Sequence, residues 1–364
     1  MIANTHGNTM KFTYCKYTFL FRFEAGTSRG VLKTRDSYFI KLSGSEVPDI
    51  FGLGECAPLP GLSPEYDTIE DGLRKVKEQL TVMETLDLSE IPALVQENIP
   101  SLKCGLEMAL LDLQNGGKRI CYENIFSTGH KSIPINGLVW MGDKNTMLQR
   151  IDEKIRDGYD CIKIKIGAIS FDDEVELLRH IRSSFGPGQI SIRLDANGAF
   201  KPGEALQKLE VLAKFQVHSI EQPIMAGNWG DMARLCRESP VPIALDEELI
   251  GIYSLAYKQE FLHALNPSYI VLKPTLLGGF TETSEWITLA DTMNTGWWIT
   301  SALESNLGLN AIAQFTANYH TSMAQGLGTG QLYENNLPSP LQIKKGNLGY
   351  DVNGTWDITP IVID

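Results

Sequence analysis

The first fifth of the chain alternates between apolar and polar positions in the way that β-strands do. The segments FTYCKYTFLFRF (12–23) and DSYFIKL (36–42) are rich in aromatic and β-branched residues, and a glycine-containing turn separates them. This pattern predicts strands from Met10 to about Ser43. The segment FGLGECAPLPGLSPE (51–65) that follows is rich in Gly and Pro, and we expect a loop there.

The pattern then changes to a helical period over residues 67–114. In the segment SLKCGLEMALLDLQNG, Ser101 is the predicted N-cap, and Asn115 and Gly116 form a stop signal. Residues 10–131 are therefore predicted to form an α+β domain. Residues 1–9 are polar, and we expect a disordered lead-in to a fold that begins at Met10.

A repeating unit begins near residue 132, in which a short apolar segment precedes a helical pattern. Eight such segments recur: 135–140, 161–166, 190–195, 218–222, 242–247, 269–274, 297–302 and 325–330. Eight βα units of this size predict a (β/α)8 barrel over residues 132–330. An open doubly wound sheet has the same alternation, but the count of eight and the lack of a G-x-G-x-x-G turn after the first strand favour the barrel. The β-like tail 331–364 is too small to fold alone and is expected to return to the N-terminal domain.

Composition limits the classes of function. The formal net charge is -12 and 43% of residues are hydrophobic, which is typical of a globular protein and argues against a broad nucleic-acid surface. No apolar run is long enough for a membrane span, the N-terminus lacks a signal-peptide pattern, and the six cysteines are dispersed. We therefore expect a cytoplasmic protein with reduced thiols that acts on a small molecule. The sequence does not indicate an oligomeric state.

Charged residues recur at the ends of the predicted strands, 25 to 30 residues apart from one strand to the next. They are Lys163, Lys165, Asp195, Glu221, Asp246 and Lys273. Each alone has a structural explanation, such as a helix N-cap or an ion pair. In a (β/α)8 barrel, however, the carboxyl ends of the strands form the active site. Because a charged residue recurs at the same position of successive βα units, the pattern favours a functional cluster.

Three carboxylates on consecutive strands would repel one another unless a cation held them together. An all-oxygen set without a nearby histidine favours Mg²⁺, with Mn²⁺ possible, over zinc. Strands two and six face each other across a ring of eight, so lysines would flank a molecule bound at the metal. We expect Lys163 and Lys165 to lower each other's pKa, and the cation to lower both pKa values further. An amine with a lowered pKa can act as a general base. The predicted chemistry is removal of a proton α to a carboxylate.

These motifs resemble the enolase superfamily, in its muconate-lactonizing subgroup. The matching segments are KIKIG, DANG, IEQP, ALDEE and LKPTLLGG, which stand in the family order, together with GECAPLPGLS and LEMALLDL. The resemblance implies an α/β fold: a modified TIM barrel, (β/α)7β, with an N-terminal α+β capping domain completed by the C-terminal tail. The loop from Gly52 to Ser63 is expected to close over the substrate.

The resemblance also implies residue roles. Asp195, Glu221 and Asp246 match the metal ligands, Lys165 matches the acid/base, Lys273 the opposite lysine and Lys163 a supporting lysine. The positions predicted to bind substrate are Asn197, Ser301, Glu304, Ser305, Gly328, Thr329, Leu59 and Pro60.

Within the subgroup, SALESNLG and GLGTG resemble the o-succinylbenzoate synthases. Such enzymes dehydrate 2-succinyl-6-hydroxy-2,4-cyclohexadiene-1-carboxylate to 2-succinylbenzoate in menaquinone biosynthesis, through an Mg-stabilised enediolate. Dipeptide epimerases carry acidic residues at strand eight for the substrate ammonium, and GLGTG has none. Dipeptide epimerisation, N-acylamino acid racemisation and muconate cycloisomerisation nevertheless stay open, as does a non-catalytic barrel that binds a carboxylate.

Overall fold

The computed structural model describes residues 9–27, 30–46, 48–361 and 363. The prediction of a disordered lead-in falls on residues 1–9, of which 1–8 lie outside the described residues. Among the helices of the described chain, none combines the length and the apolar composition that crossing a bilayer requires.

The N-terminal region is an antiparallel sheet covered by helices. Its strands are β1 (Met10–Thr27), β2 (Gly30–Gly44) and β3 (Phe51–Cys56), in the order β1-β2-β3. The helices α1 (Ile69–Leu80), α2 (Ile91–Leu94) and α3 (Pro100–Gln114) follow. The predicted strands from Met10 to about Ser43 are confirmed as the antiparallel pair β1 and β2. Their register runs from Met10 opposite Gly44 to Thr27 opposite Gly30, with a shift between Leu20 and Ala25.

Two sequence predictions in this region are wrong. We expected a loop from residue 51, but β3 lies there, and its glycines are required by close packing on α3. A Cβ at Gly52 or Gly54 would lie 1.8 Å from a backbone oxygen of that helix. Ser101 is also not the N-cap of α3, because the helix begins one residue earlier at Pro100, a residue that suits the first helical turn.

The central sheet has seven parallel strands in sequential order, β5 to β11. They are β5 (Gly137–Val139), β6 (Cys161–Lys165), β7 (Ser191–Asp195), β8 (Ser219–Glu221), β9 (Ile243–Leu245), β10 (Tyr269–Leu272) and β11 (Gly296–Ile299), while β4 (Ile133–Pro134) belongs to another sheet. The intervening helices are α4 (Lys144–Arg156), α5 (Phe171–Ser184), α6 (Pro202–Ala213), α7 (Trp229–Glu238), α8 (Leu255–Leu265), α9 (Pro274–Leu277), α10 (Phe280–Thr292) and α11 (Asn306–Thr316).

A two-residue segment closes the ring between the first and last strands. Gln325 bridges to Ile135 and Gly326 bridges to Thr300, both in parallel orientation. The chain then turns into the 3-10 helix Thr329–Gln331, with no α-helix after this segment in the described chain. The eighth unit of the barrel is therefore an extended segment alone, as the (β/α)7β form requires.

Side chains of β6 alternate between two environments. Ile162, Ile164 and Ile166 are at most 2% exposed and belong to the core that the barrel shares with its helices. Lys163 and Lys165 lie on the opposite face of the strand, toward the barrel mouth. The predicted division of this segment between a lysine face and an isoleucine face is confirmed.

The C-terminal tail contacts both parts of the molecule. Its strands β12 (Leu341–Lys344) and β13 (Asn347–Tyr350) form an antiparallel sheet with β4. Before them, the backbone N–H of Glu334 donates to Leu20 of β1 at 2.9 Å, and Tyr333 packs against Phe19. The tail therefore continues onto the N-terminal sheet. The domain boundaries at residues 131 and 331 stay a prediction.

Candidate active site

The parallel register of β6, β7 and β8 places three of the predicted site residues in one row. Lys165 pairs with Asp195, which pairs with Glu221 on the next strand. Asp246 follows β9 directly, and Lys273 follows β10. Since parallel strands end at the same edge, these side chains meet at the carboxyl end of the barrel.

The charges at this edge form a connected network of ion pairs. Lys163 Nζ lies 2.6 Å from Glu221 Oε2 and 3.0 Å from Asp195 Oδ2, and Lys165 Nζ lies 2.9 Å from the same Asp195 oxygen. Lys273 pairs with Asp246. The three carboxylate residues are at most 2% exposed. Buried charges of this kind are stable only when paired, and each is paired here.

The two lysine-bearing strands face each other. In the sheet order, β7, β8 and β9 lie between β6 and β10 on one side, and β11, the Gln325–Gly326 segment and β5 lie between them on the other. The carboxylates therefore occupy one arc of the mouth, with Lys165 and Lys273 at its two ends. The opposite arc carries none of these six charged residues.

Burial and mutual charge shift the pKa values of this cluster in opposite directions. Burial, with the nearby Asp195 charge, raises the pKa of Glu221 to about 8. Burial also opposes ionisation of Asp195, but Lys163, Lys165 and Lys273 outweigh it and hold the pKa of Asp195 far below its usual range. A carboxylate with a raised pKa beside one with a lowered pKa is typical of a functional site.

The pKa of Lys163 is shifted upward, opposite to the predicted direction. Burial lowers the pKa of the Lys163 amine, but attraction to Asp195, Glu221 and Asp246 is stronger and the pKa is raised. The pKa of Lys273 is raised as well, because the attraction of Asp246 and Glu221 outweighs burial. Sequence alone could not determine which carboxylate each lysine contacts.

The carboxylates fit a hard divalent cation by their chemistry. Among the residues that the structure describes, no three His, Cys, Asp or Glu side chains are arranged as a metal-binding group, and Lys163 and Lys273 form ion pairs with the three carboxylates. Within the described part of the chain, Glu221 Oε1 is nevertheless buried without a hydrogen-bond partner. Such an oxygen is costly unless a ligand satisfies it. Asp195, Glu221 and Asp246 together supply the oxygen set that Mg²⁺ prefers.

A second layer of hydrogen bonds orients Lys165. Its Nζ donates to Asn197 Oδ1 at 2.7 Å, and Asn197 Nδ2 donates to Glu247 Oε1 at 3.0 Å. The amine also lies 5.7 Å from the centre of the Trp140 ring. Asn197, predicted among the substrate-binding residues, therefore also holds the lysine in place.

A cavity of about 340 Å³ opens beside this cluster. It is lined by six of the eight residues that were predicted to bind substrate: Leu59, Pro60, Asn197, Ser301, Gly328 and Thr329. Lys163, Lys165, Asp195 and Lys273 also line it. The loop 57–63 contributes Leu59 to Leu62 to one side of the cavity. That the loop from Gly52 to Ser63 closes over the substrate stays a prediction.

The other two predicted substrate-binding residues, Glu304 and Ser305, do not line the cavity. Glu304 is fully buried and accepts hydrogen bonds from Thr275 Oγ1 at 2.5 Å and from the backbone N–H of Ala302 at 2.7 Å. Ser305 is the N-cap of α11 and donates its hydroxyl to Glu55 Oε2 at 2.6 Å. The prediction that Glu304 and Ser305 bind substrate is therefore corrected: both residues stabilise the loop after β11 through these hydrogen bonds.

Several lining residues were not predicted. Gly30, Val31 and Leu32, at the start of β2, reach the mouth from the N-terminal sheet, and no local pattern indicates this. Asn136, Leu138 and Trp140 line the cavity from the first barrel strand and its flanks. Their spacing of two residues is the signal that could have identified them.

The chain is similar to proteins of one known family. Residues 146–353 match the family model for the enolase C-terminal domain-like family. The chain is 45% identical to an o-succinylbenzoate synthase of Desulfotalea psychrophila, over 93% of this chain and 99% of that protein.

Solved structures match over the same extent. MenC from Desulfotalea psychrophila superposes with a TM-score of 0.83 at 42% identity, covering 94% of this chain and 99% of that chain. A dipeptide epimerase from Cytophaga hutchinsonii, complexed with Mg and the dipeptide D-Ala-L-Val, gives a TM-score of 0.82 at 19% identity, with 97% of this chain and 96% of that chain covered. The second likeness is one of fold.

Proposed function

Because the chain belongs to the enolase superfamily, we propose that it is an o-succinylbenzoate synthase, a lyase of menaquinone biosynthesis. The reaction is the dehydration of 2-succinyl-6-hydroxy-2,4-cyclohexadiene-1-carboxylate to 2-succinylbenzoate. The observation that carries the proposal is the 45% identity to an o-succinylbenzoate synthase over nearly the whole chain. The lysines and carboxylates at the barrel mouth supply the groups that this dehydration needs.

Lys165 is the proposed base. A neutral amine has two N–H bonds, and Asp195 and Asn197 accept two hydrogen bonds from Lys165. The lone pair is then free to take the proton from the ring carbon that bears the carboxylate. The resulting ammonium can give this proton to the hydroxyl group on the neighbouring ring carbon. The protonated hydroxyl group then leaves as water. The ring becomes aromatic, and atoms and charge balance without another reactant.

Lys273 and Lys163 act as fixed positive charges. Lys273 faces Lys165 from the opposite strand, so it can stabilise the negative charge that develops when the proton leaves. Lys163 contacts both Asp195 and Glu221 and keeps these two side chains aligned. Both lysines are held by carboxylates, which limits the reorganisation needed during reaction.

Members of this superfamily use a divalent metal ion. We propose Mg²⁺, with Mn²⁺ able to replace it, bound by Asp195, Glu221 and Asp246. The ion supplies positive charge for the substrate carboxylate and thereby makes the neighbouring proton more acidic. Binding requires Lys163 and Lys273 to yield part of their contacts with these carboxylates.

Epimerisation of a dipeptide is the second candidate, and the cavity disfavours it. Among the described residues that line the cavity, Asp195 is the one acidic side chain, and it already contacts two lysines. The ammonium group of a dipeptide would find no carboxylate partner there. Racemisation of an N-acylamino acid is compatible with the cavity, because acylation makes the nitrogen neutral.

The test is a comparison of substrates under one set of conditions. Purified protein with Mg²⁺ is incubated with the cyclohexadiene substrate, and the aromatic product is followed by absorbance. In parallel, N-succinylamino acids and dipeptides are incubated in D2O, and exchange at the α-carbon is followed by NMR. We expect efficient dehydration and no dipeptide exchange. Dipeptide exchange without dehydration would replace the proposal by an epimerase.

A further inference from the structure

Lys165 lies between two neighbouring strands that offer its amine different partners. On one side, the register of β6 and β7 places Asp195 level with it. On the other side, Val139 of β5 pairs with Ile164 of β6. The residue that follows β5, Trp140, is therefore level with Lys165 and shares its inward phase. The proposed base thus has a carboxylate on one side and an indole ring on the other.

The Trp140 ring presents its face to the amine. Lys165 Nζ lies 5.7 Å from the centre of this ring, within the range of about 6 Å over which an aromatic face attracts a cation. Trp140 is 4% exposed and lines the cavity. An aliphatic residue could close the wall of the cavity at this point, but it would not attract an amine.

The contact with Trp140 is independent of the proposed metal site, whereas the contact with Asp195 is not. Asp195 Oδ2 accepts a hydrogen bond from Lys165 at 2.9 Å and also lies 3.0 Å from Lys163 Nζ. As a metal ligand, Asp195 would share its charge with the ion too, which weakens its attraction for Lys165. Asn197 and Trp140 carry no charge and stand outside the proposed ligand set. These two neutral side chains are therefore the ones that keep the amine in place when metal is bound.

The ring of Trp140 is itself held by the N-terminal sheet. Phe23 of β1 packs edge-on against it, with the ring centres 6.0 Å apart and the ring planes at 63°. Arg150 of α4 donates to the backbone oxygen of Trp140 at 3.0 Å, and its guanidinium carbon lies 5.5 Å from the centre of the Phe23 ring. Gly26 of β1 forms a bridge with Met141, the next residue of the chain. The indole is therefore fixed through its ring and its backbone, as a positioning surface requires.

We infer that Trp140 is a positioning residue for the proposed base. The face of its indole ring holds the Lys165 amine at the cavity, and Phe23 holds the ring in turn. The inference rests on the proposed function, because that function assigns the base role to Lys165. Trp140 exchanges no proton. It restricts a long, flexible side chain, so that a larger share of bound substrate meets an aligned amine.

Steady-state kinetics of dehydration test the inference in Trp140→Leu and Trp140→Phe. We expect Trp140→Leu to lower kcat about tenfold, the size of a partly desolvated cation–π contact, with KM and Mg²⁺ affinity little changed. Trp140→Phe keeps an aromatic face and should recover most of the lost kcat. Trp356, on the C-terminal tail, packs against the N-terminal sheet away from the cavity lining, so Trp356→Leu is a matched control that should keep the wild-type kcat.

Two kinetic results would overturn the inference. A raised KM with unchanged kcat in Trp140→Leu would assign the ring to substrate binding. An equal loss of kcat in Trp140→Leu and Trp140→Phe would assign the ring to packing alone.

A double-mutant cycle tests the link to the N-terminal sheet. Phe23→Leu should lower kcat in the same direction as Trp140→Leu but by less. Combined with Trp140→Leu, it should add no further loss, because both changes act through the same ring. Additive losses of kcat would overturn the role of Phe23.

Crystal structures of the Mg²⁺-loaded wild type and Trp140→Leu give a readout that does not depend on turnover. We expect the Lys165 amine to occupy one position in the wild type and to shift by about 1 Å or lose order in the variant, a displacement large enough to slow proton transfer. Asp195 and Glu221 should keep their positions. An unmoved amine would overturn the inference. If the wild type formed no 2-succinylbenzoate while the amine still moved in the variant, the proposed function would fail and the positioning of Lys165 by Trp140 would stand.

Discussion

Asn197 Oδ1 accepts a hydrogen bond of 2.7 Å from Lys165 Nζ, and Asn197 thereby fixes the direction of the proposed base. Asn197 itself has a left-handed backbone, with φ of 44°, a conformation that asparagine and glycine adopt readily. The same residue connects Lys165 to Glu247. The orientation of the base thus depends on a short chain of hydrogen bonds beginning on the loop after β9.

Asn197→Gly therefore tests this connection without straining the backbone. We expect kcat for dehydration to fall about tenfold to a hundredfold, because the lysine loses one of the two contacts that orient it. KM should change little if the residue acts mainly through Lys165. Steady-state kinetics measure both. A raised KM with unchanged kcat would assign Asn197 to substrate binding instead.

Loss of a carboxylate ligand should weaken the metal site. Asp195→Asn keeps the size of the side chain but removes a negative charge, so we expect Mg²⁺ affinity to fall about tenfold to a hundredfold. Calorimetric titration with Mg²⁺ measures it, and circular dichroism checks the fold. The exposed Asp157 offers a matched control as Asp157→Asn. Equal affinity in Asp195→Asn and the wild type would remove this residue from the ligand set.

The junction between α3 and α10 should make stability depend on pH. Glu107 of α3 accepts backbone hydrogen bonds from Phe280 and Thr281 at the start of α10, and burial raises the pKa of its carboxyl to about 7. Between pH 4.5 and 7, the native state therefore holds a proton that the unfolded chain has lost. The free energy of unfolding should fall as pH rises through this window, by an upper bound of about 3 kcal/mol.

Glu107→Gln keeps the acceptor and removes the titration. Urea unfolding at pH 4.5, 6 and 8 should give the variant a flatter profile than the wild type, with the variant the more stable at pH 8. Identical profiles for the two proteins would contradict the raised pKa of Glu107.

Arg35 connects the loop 57–63 to the loop after β11. The guanidinium is 3% exposed and donates to the backbone oxygens of Ala57 and Ala302. Arg35→Met should release both segments, raise KM about tenfold and lower the Tm, since two charge-assisted hydrogen bonds are lost. Arg35→Lys can keep one contact and should have an intermediate effect. A wild-type KM in Arg35→Met would show that the loop is held by other contacts.

The architecture of the barrel was predictable because each strand has a strong local signal. Apolar segments ended by a charge recur at a regular interval, and the parallel sheet places those ends together. The strand β3 was not predicted because its glycines are typical of loops. In the structure, these glycines allow the strand to pack closely against α3. That reason lies in tertiary packing and has no local signature.

The site was predictable only in part for a similar reason. Strand phase places Lys165, Asp195 and Glu221 at one edge, but it does not reveal that Lys163 contacts two carboxylates at once. Glu304 was predicted to bind substrate, yet its carboxylate turns inward to Thr275. Whether a polar side chain after a strand lines the cavity depends on its neighbours in space.

The central claim is that Lys165 removes the proton α to the substrate carboxylate. The most direct measurement is the rate of 2-succinylbenzoate formation by wild-type protein and by Lys165→Ala at saturating Mg²⁺, with Mg²⁺ affinity measured for both. We predict that the variant loses about two to four orders of magnitude in rate and retains Mg²⁺ binding. Turnover by Lys165→Ala at a rate near that of the wild type would contradict the account.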